Sequence, residues 1–493
     1  MVTKDHDNPG SINVTMNENQ NILQNILISA GGNNLLLCDL VYNEKIIDVI
    51  PKSEKVIEWN DIREKEQLNN LLKEFVKADE SKTFLLLIPG AIDSHVHFDT
   101  PGFEFREDFD HASKAAASGG VTTVIDMPCT SIPPVTTIEN FQTKLNSLRG
   151  RSIIDYAFWG GVSGKNFDEH EVKKNIIELS EAGVAGFKVY MISGMDSFTD
   201  LSERQMEIAA RVIEKTGKPM AVHAEDKELI HAREIKFKNA NRNDWKAYCD
   251  SRDARTEAVA IDKLIAIVRK VNCTTHVVHL SSLMGLEQIK KAKSSKLPIT
   301  TETCPHYLHF TQKDFENEKI RNFLKTAPPV KCEKDMAALW KGLIDGLILF
   351  VATDHAGCNP AEEKSANNFW EIYGGIPGVE HRVPFLFSEG FLKDKFTLQK
   401  TIELLTINLA EYFRLNGKGV IKPGFDADFC LIDLWNSQKV ESANMKCKGK
   451  YTPFEGTTFN AVINQTYLRG RKIYDLNEPV SDNYNYGKFI TVK

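Results

Sequence analysis

The chain has 493 residues, 42% apolar and 26% charged, with a net charge of −6. That composition is ordinary for a globular enzyme, and the acidic balance argues against a nucleic-acid surface as the main function. No apolar run reaches the 18 or so residues of a membrane span.

Residues 1–20 are polar and rich in Asn and Asp, so a mobile tail is expected there rather than a secretory signal. From Asn34 to Val56, short apolar runs are split by turn residues, as in small strands. Residues 60–82 are charged and helix-favouring, the pattern of a surface insertion. From about residue 85 to 414, apolar runs alternate with helix-favouring stretches such as 167–182, 201–216, 254–271 and 283–294. This alternation predicts a parallel sheet closed by crossover helices, an α/β fold of the (β/α)8 barrel type. The Lys-rich segment 235–252, with Trp245 and Tyr248, reads as a long loop or lid. After Leu415 the chain returns to short strands, with a turn at Lys422-Pro423-Gly424 and another around Arg469-Gly470-Arg471. Nine cysteines, an odd number without paired spacing, fit reduced thiols and a cytoplasmic protein.

Several of the apolar runs end in a residue that can ligate metal. Ala91-Ile92-Asp93-Ser94-His95-Val96-His97 ends in two histidines two apart. Side chains alternate along a strand, so His95 and His97 can aim at one point. Lys188 lies inside Gly186-Phe187-Lys188-Val189-Tyr190. His223, His279 and Asp354 each close a further run. A single His or Asp at a strand end is usually satisfied locally, but in a β/α barrel functional groups gather at the carboxyl ends of strands. The ordered set is therefore a candidate centre.

This set resembles the binuclear metal-dependent amidohydrolases, in the branch that opens cyclic amides: dihydroorotases, hydantoinases or dihydropyrimidinases, and allantoinases. The resemblance spans roughly residues 85–475. Gly119-Gly120-Val121-Thr122-Thr123, Ser131-Ile132-Pro133-Pro134, Phe158-Trp159-Gly160-Gly161 and Thr301-Glu302-Thr303-Cys304-Pro305-His306 look most like allantoinases.

The resemblance implies a small β-sandwich, formed by residues 21–84 and 415–493, beside the barrel. It implies two divalent metal ions, zinc by default, since imidazole and carboxylate-type oxygens suit it. His95, His97 and Asp354 would hold one ion and His223 and His279 the other. Lys188, as an N6-carboxylysine, would bridge them. Two ions about 3.5–4 Å apart make a shared water nucleophilic near neutral pH. Asp354 would be the catalytic proton shuttle.

Asp99, Ser193, Ser282 and His355 are expected to contact the substrate. Dihydroorotase-like proteins place an arginine at the position of Asp99, and hydantoinase-like proteins a tyrosine at Ser193. Arg106 is a conceivable substitute for that arginine. The expected partner is a small cyclic amide, with allantoin ahead of dihydroorotate and hydantoin-type rings. A homo-oligomer, dimer or tetramer, is the family habit. Some relatives lost their ligands and became non-catalytic scaffolds, but here every ligand position is occupied.

Overall fold

Eight parallel strands surround one axis in the computed structural model, which describes residues 14–17, 20–72 and 84–493. They are β1 (Ala91–His97), β2 (Val121–Asp126), β3 (Asp155–Phe158 and Gly160–Gly161) and β4 (Phe187–Tyr190). Then come β5 (Met220–His223), β6 (Thr275–Val277), β7 (Ile299–Thr303) and β8 (Phe350–Val351 and His355–Ala356). Each pairs with its sequence neighbour, and β8 pairs with β1 through His355 opposite Val96 and Ala356 opposite His97. The barrel is thereby closed. Trp159 breaks β3 in two, its indole N–H donating to the Ser94 carbonyl of β1 at 2.8 Å. Ile92, Ile125, Ala157, Ala185, Ala221 and Phe350 fill the interior.

The crossover helices begin where the sequence supplies caps. Helix Glu169–Ala182 starts behind Asp168, whose carboxylate accepts from the Glu171 N–H, and Glu203–Thr216 behind a Ser202/Gln205 capping box. Such caps satisfy amide groups that the first helical turn leaves free, worth about 1 kcal/mol each. The segment 235–252 is not the loop expected from its lysines. It completes helix Lys227–Asn239 and forms helix Trp245–Ser251, capped by Asp226 and Asp244. Trp245 stacks on Phe315 with ring centroids 5.3 Å apart, so tertiary packing supplies the apolar face that the local pattern lacks.

Nine of the strands outside the barrel form one sheet drawn from both ends of the sequence. Its centre is Leu86–Pro89, parallel to Gln20–Ser29 on one side and antiparallel to Phe429–Asp433 on the other. Tyr42, on Asn34–Tyr42, packs edge-on against Phe429 at 5.3 Å, although two strands separate theirs in the sheet. The sheet therefore curls around its own core of Leu23, Leu40, Leu87 and Leu431, while Leu27, Ile88 and Ile432 face the barrel side.

Of the residues read as a tail, Val14–Asn17 pair with Gln20–Leu23, and 1–13, 18 and 19 lie outside the described residues. The 60–82 insertion contains helix Lys65–Leu72, and its residues 73–82 lie outside the described residues. The last residues leave the sheet. The N–H groups of Ile490 and Val492 donate to Tyr156 and Gly183, and Lys218 Nζ donates to the Val492 carbonyl at 2.9 Å, across the amino-terminal end of the barrel. Among the described residues no helix is long and apolar enough to cross a membrane.

Candidate metal centre and its cavity

At the carboxyl ends of the strands, a cavity of about 490 Å³ is lined by His95, His97, His223, His279 and Asp354. The period of two along β1 puts both of its imidazoles inward, and both are almost fully buried. Asp354 sits in the break between the halves of β8 with φ +50°, and His279 follows β6 with φ +40°. Such backbone is uncommon outside glycine and is held by surrounding structure. It turns both side chains toward the axis.

His95 Nε2 and His97 Nε2 lie 3.1 and 3.2 Å from the same Asp354 oxygen, Oδ1. The ligand atoms of these three residues fall within 4.8 Å of one another. His95 Nδ1 is 2.5 Å from Glu302 Oε1. An ionised carboxylate only accepts, so Nδ1 carries the hydrogen and Nε2 of the neutral ring presents a lone pair to Asp354. Two acceptors facing at this distance call for a cation or a proton between them. Burial opposes charge on His95, yet Asp354 and Glu302 raise its pKa. Burial also disfavours the Asp354 carboxylate, but the surrounding histidines hold it well below the usual range.

The second pair is arranged alike. His223 Nε2 lies 3.1 Å from Glu225 Oε2, which leaves Nδ1 facing His279 Nε2 at 2.9 Å. Arg252 binds Glu225 at 2.5 Å and fixes it. Burial lowers the pKa of both histidines, so both are neutral ligand-type rings.

Lys188 is fully buried on β4, and its Nζ has no hydrogen-bond partner among the described residues. It lies 4.9 Å from the centre of the Tyr190 ring. Burial lowers its pKa to about 8. A solitary buried ammonium is costly, whereas a neutral amine there is free to be modified. The donor set fits divalent metal: neutral imidazoles, one carboxylate, and an orphaned amine where a further oxygen ligand is wanted.

The four residues expected at the substrate separate. Ser193 lines the cavity, but its hydroxyl donates to the Phe198 carbonyl at 2.7 Å and accepts from the Met195 N–H. Ser282 lies away from the cavity; its hydroxyl binds Glu257 and caps helix Leu283–Ser294. His355 points behind the wall, where its Nδ1 accepts from the N–H groups of Gly378 and Val379. Asp99 is buried, with φ +57° and neither carboxyl oxygen hydrogen-bonded within the described residues. His355 lies on the second half of β8, opposite Val96, with its ring turned to the Gly378 and Val379 amides, and Ser282 is drawn to Glu257 at the start of its helix.

Other residues came unannounced. Glu302 binds the ring of His95, and Thr130 and Cys129 sit 3.3 and 3.7 Å from His97 Nδ1. Lys325 Nζ donates to the carbonyls of Phe369 (2.6 Å), Trp370 (3.2 Å) and Ile372 (2.5 Å), shaping the wall that carries Trp370 and Tyr373. Glu302 falls in Thr301-Glu302-Thr303, where period-two reading of a barrel strand could have placed it inward.

Residues 86–473 match the amidohydrolase family. The allantoinase of Rubrobacter xylanophilus is 33% identical over 398 residues, 80% of this chain and 86% of that protein. The allantoinase of Saccharomyces cerevisiae is 33% identical over 395 residues, 79% of this chain and 82% of that one. Among solved structures, the L-hydantoinase (dihydropyrimidinase) of Arthrobacter aurescens superimposes with a TM-score of 0.82 at 28% identity, covering 95% of this chain and 99% of that one. The chain belongs to the amidohydrolase family, a superfamily of metal-dependent hydrolases built on this barrel.

Proposed function

We propose that this protein is a metal-dependent allantoinase, which hydrolyses a ring amide of allantoin to give allantoate. The observation that carries the hydrolytic reading is the convergence of five candidate ligand side chains on one cavity, with the orphaned Lys188 amine buried on β4 beside the strand that carries His223. The choice of ring rests on the allantoinases among the relatives. It is supported by Arg106, the residue expected to stand in for the missing arginine, being bound to Glu363 at 2.8 and 2.7 Å.

His95, His97 and Asp354 would hold one divalent ion, His223 and His279 a second, and Lys188 carbamylated by carbon dioxide would span the two. Bound there, such ions polarise the scissile carbonyl and acidify water toward neutral pH. Zinc is the first expectation from the donor set. Glu302 and Glu225 keep His95 and His223 in the tautomers that face the centre. Asp354, whose side chain keeps 14% exposure, reaches the cavity and would take the attacking water's proton through its carboxylate and return it to the leaving ring nitrogen. The wall formed by Tyr190, Ile192, Trp370 and Tyr373 restricts water around the ring.

The nine cysteines are all free, which supports a cytoplasmic protein. A homo-oligomer is expected, and light scattering would read its size. Assay of the purified protein on allantoin, dihydroorotate, dihydrouracil and hydantoin, alongside metal content, tests the proposal. Faster opening of dihydroorotate would overturn the choice of ring. Absence of bound divalent metal together with no turnover would overturn the enzyme.

A further inference from the structure

Glu302 lies on β7, which supplies none of the proposed ligands, yet its carboxylate touches a residue of each proposed metal pair. Oε1 accepts from the His95 ring at 2.5 Å and from the His279 backbone N–H at 3.4 Å. Oε2 accepts from the Ser94 hydroxyl at 3.3 Å and lies 3.2 Å from His276 Nε2. One carboxylate thus joins β1, β6 and β7, and reaches a residue of each proposed metal pair. Its contact with His279 falls where the backbone is left-handed. Behind it, His276 is fully buried, its Nδ1 2.8 Å from Thr300 Oγ1, and its ring is stacked on Phe350 at 5.2 Å. Thr300 Oγ1 in turn lies 2.9 Å from the Tyr412 hydroxyl, so it can accept from Tyr412 and donate to His276 Nδ1, which leaves the Nε2 hydrogen toward Glu302. His276 is therefore held from the far side and has little freedom to leave Glu302.

We propose that Glu302, steadied by His276, is the positioning residue of the metal centre: it fixes the His95 tautomer with Nε2 toward Asp354 and pins the turn that aims His279. This rests on the metal-dependent reading above. Carboxylates in this role fix ring orientation and raise ligand basicity, and their loss typically weakens metal binding about 10–100-fold. The His279 N–H cannot replace Glu302 for His95, because it can only donate.

The test uses the full chain, stripped of metal and titrated with zinc against a chromophoric chelator. Glu302→Leu is expected to bind zinc about 10–100-fold more weakly than the unmodified chain. Glu302→Gln, which retains a carbonyl for the His95 N–H, should recover part of that loss. Nitrogen-15 NMR of the histidine rings should show the His95 Nδ1–H tautomer in the unmodified protein and a mixture in Glu302→Leu. A Glu302→Leu chain that is folded and binds zinc within about twofold of the unmodified protein would overturn the proposal. Should that variant not fold, the pair His276→Gln and His276→Leu decides. Stronger zinc binding in the Gln variant, which keeps a donor toward Glu302, supports it; equal binding in both overturns it. Failure of the unmodified protein to bind zinc or any other divalent ion would count against the metal centre itself, a separate failure.

Discussion

Glu363 holds Arg106 by two bonds, Nε at 2.8 Å and Nη2 at 2.7 Å, across 257 residues of sequence. The guanidinium also lies 4.4 Å from the centre of the Tyr373 ring. Arg106 is therefore committed to the wall and is not available to a substrate carboxylate.

The first expectation follows for substrate choice. Allantoin, neutral near pH 7, should be opened faster than dihydroorotate, whose carboxylate finds Arg106 already committed to Glu363. Glu363→Ala should release Arg106 and raise turnover of dihydroorotate relative to allantoin. Side-by-side kcat/KM values for the two rings check this; an unchanged ratio in Glu363→Ala would show that Arg106 is not what excludes the acid.

Lys188→Ala should lose most bound metal and nearly all activity, since the buried amine is the site of the proposed bridging carbamate. A short carboxylic acid such as acetate should restore part of both, because it supplies the missing oxygens in the space vacated. Metal analysis with and without acetate reads the outcome.

Asp354→Asn should leave the fold intact and lower kcat by at least about 10²–10⁴-fold, the usual range for loss of a general acid–base. Loss of a ligand oxygen shared by His95 and His97 adds to this. A kcat near that of the unmodified protein would place the proton shuttle elsewhere.

Asp99 gives a pH dependence with a definite sign. Burial raises its pKa well above the model-peptide range, against the pull of His97. The folded protein therefore keeps this proton while the unfolded chain releases it near pH 3.9. Above that pH the folded state binds more protons, so stability falls as pH rises toward the folded pKa. Asp99→Asn has no proton to lose and tolerates the positive φ. In the metal-free protein its Tm advantage over Asp99 should be absent near pH 3.5 and grow between about pH 4 and 7. A constant difference across that range would mean Asp99 is ionised in the fold.

What was legible in the sequence had a local signature. His95 and His97 declare themselves because a strand repeats every two residues, and helices such as Glu203–Thr216 because their caps precede an amphipathic run. Helix Trp245–Ser251 was hidden because its lysines surround it and its packing comes from Phe315 and Phe369. The placements of Ser282 and His355 depend on distant partners such as Glu257 and Gly378. Lys325, an ammonium held by three carbonyls inside the wall, reads in sequence as a surface residue. Glu302 stood in a motif already singled out, but nothing local shows that it reaches β1.

Strand Leu86–Pro89 continues after one residue, Gly90, into β1, and one of its two neighbours, Phe429–Asp433, is more than 300 positions later. A nascent chain on the ribosome thus carries the strand that feeds His95 and His97 with one edge open until most of synthesis is over. Unpaired edges recruit foreign strands, so premature termination or a slow codon run before residue 429 exposes this protein to aggregation at the element that leads into its metal centre. Non-local pairing of this kind also delays folding.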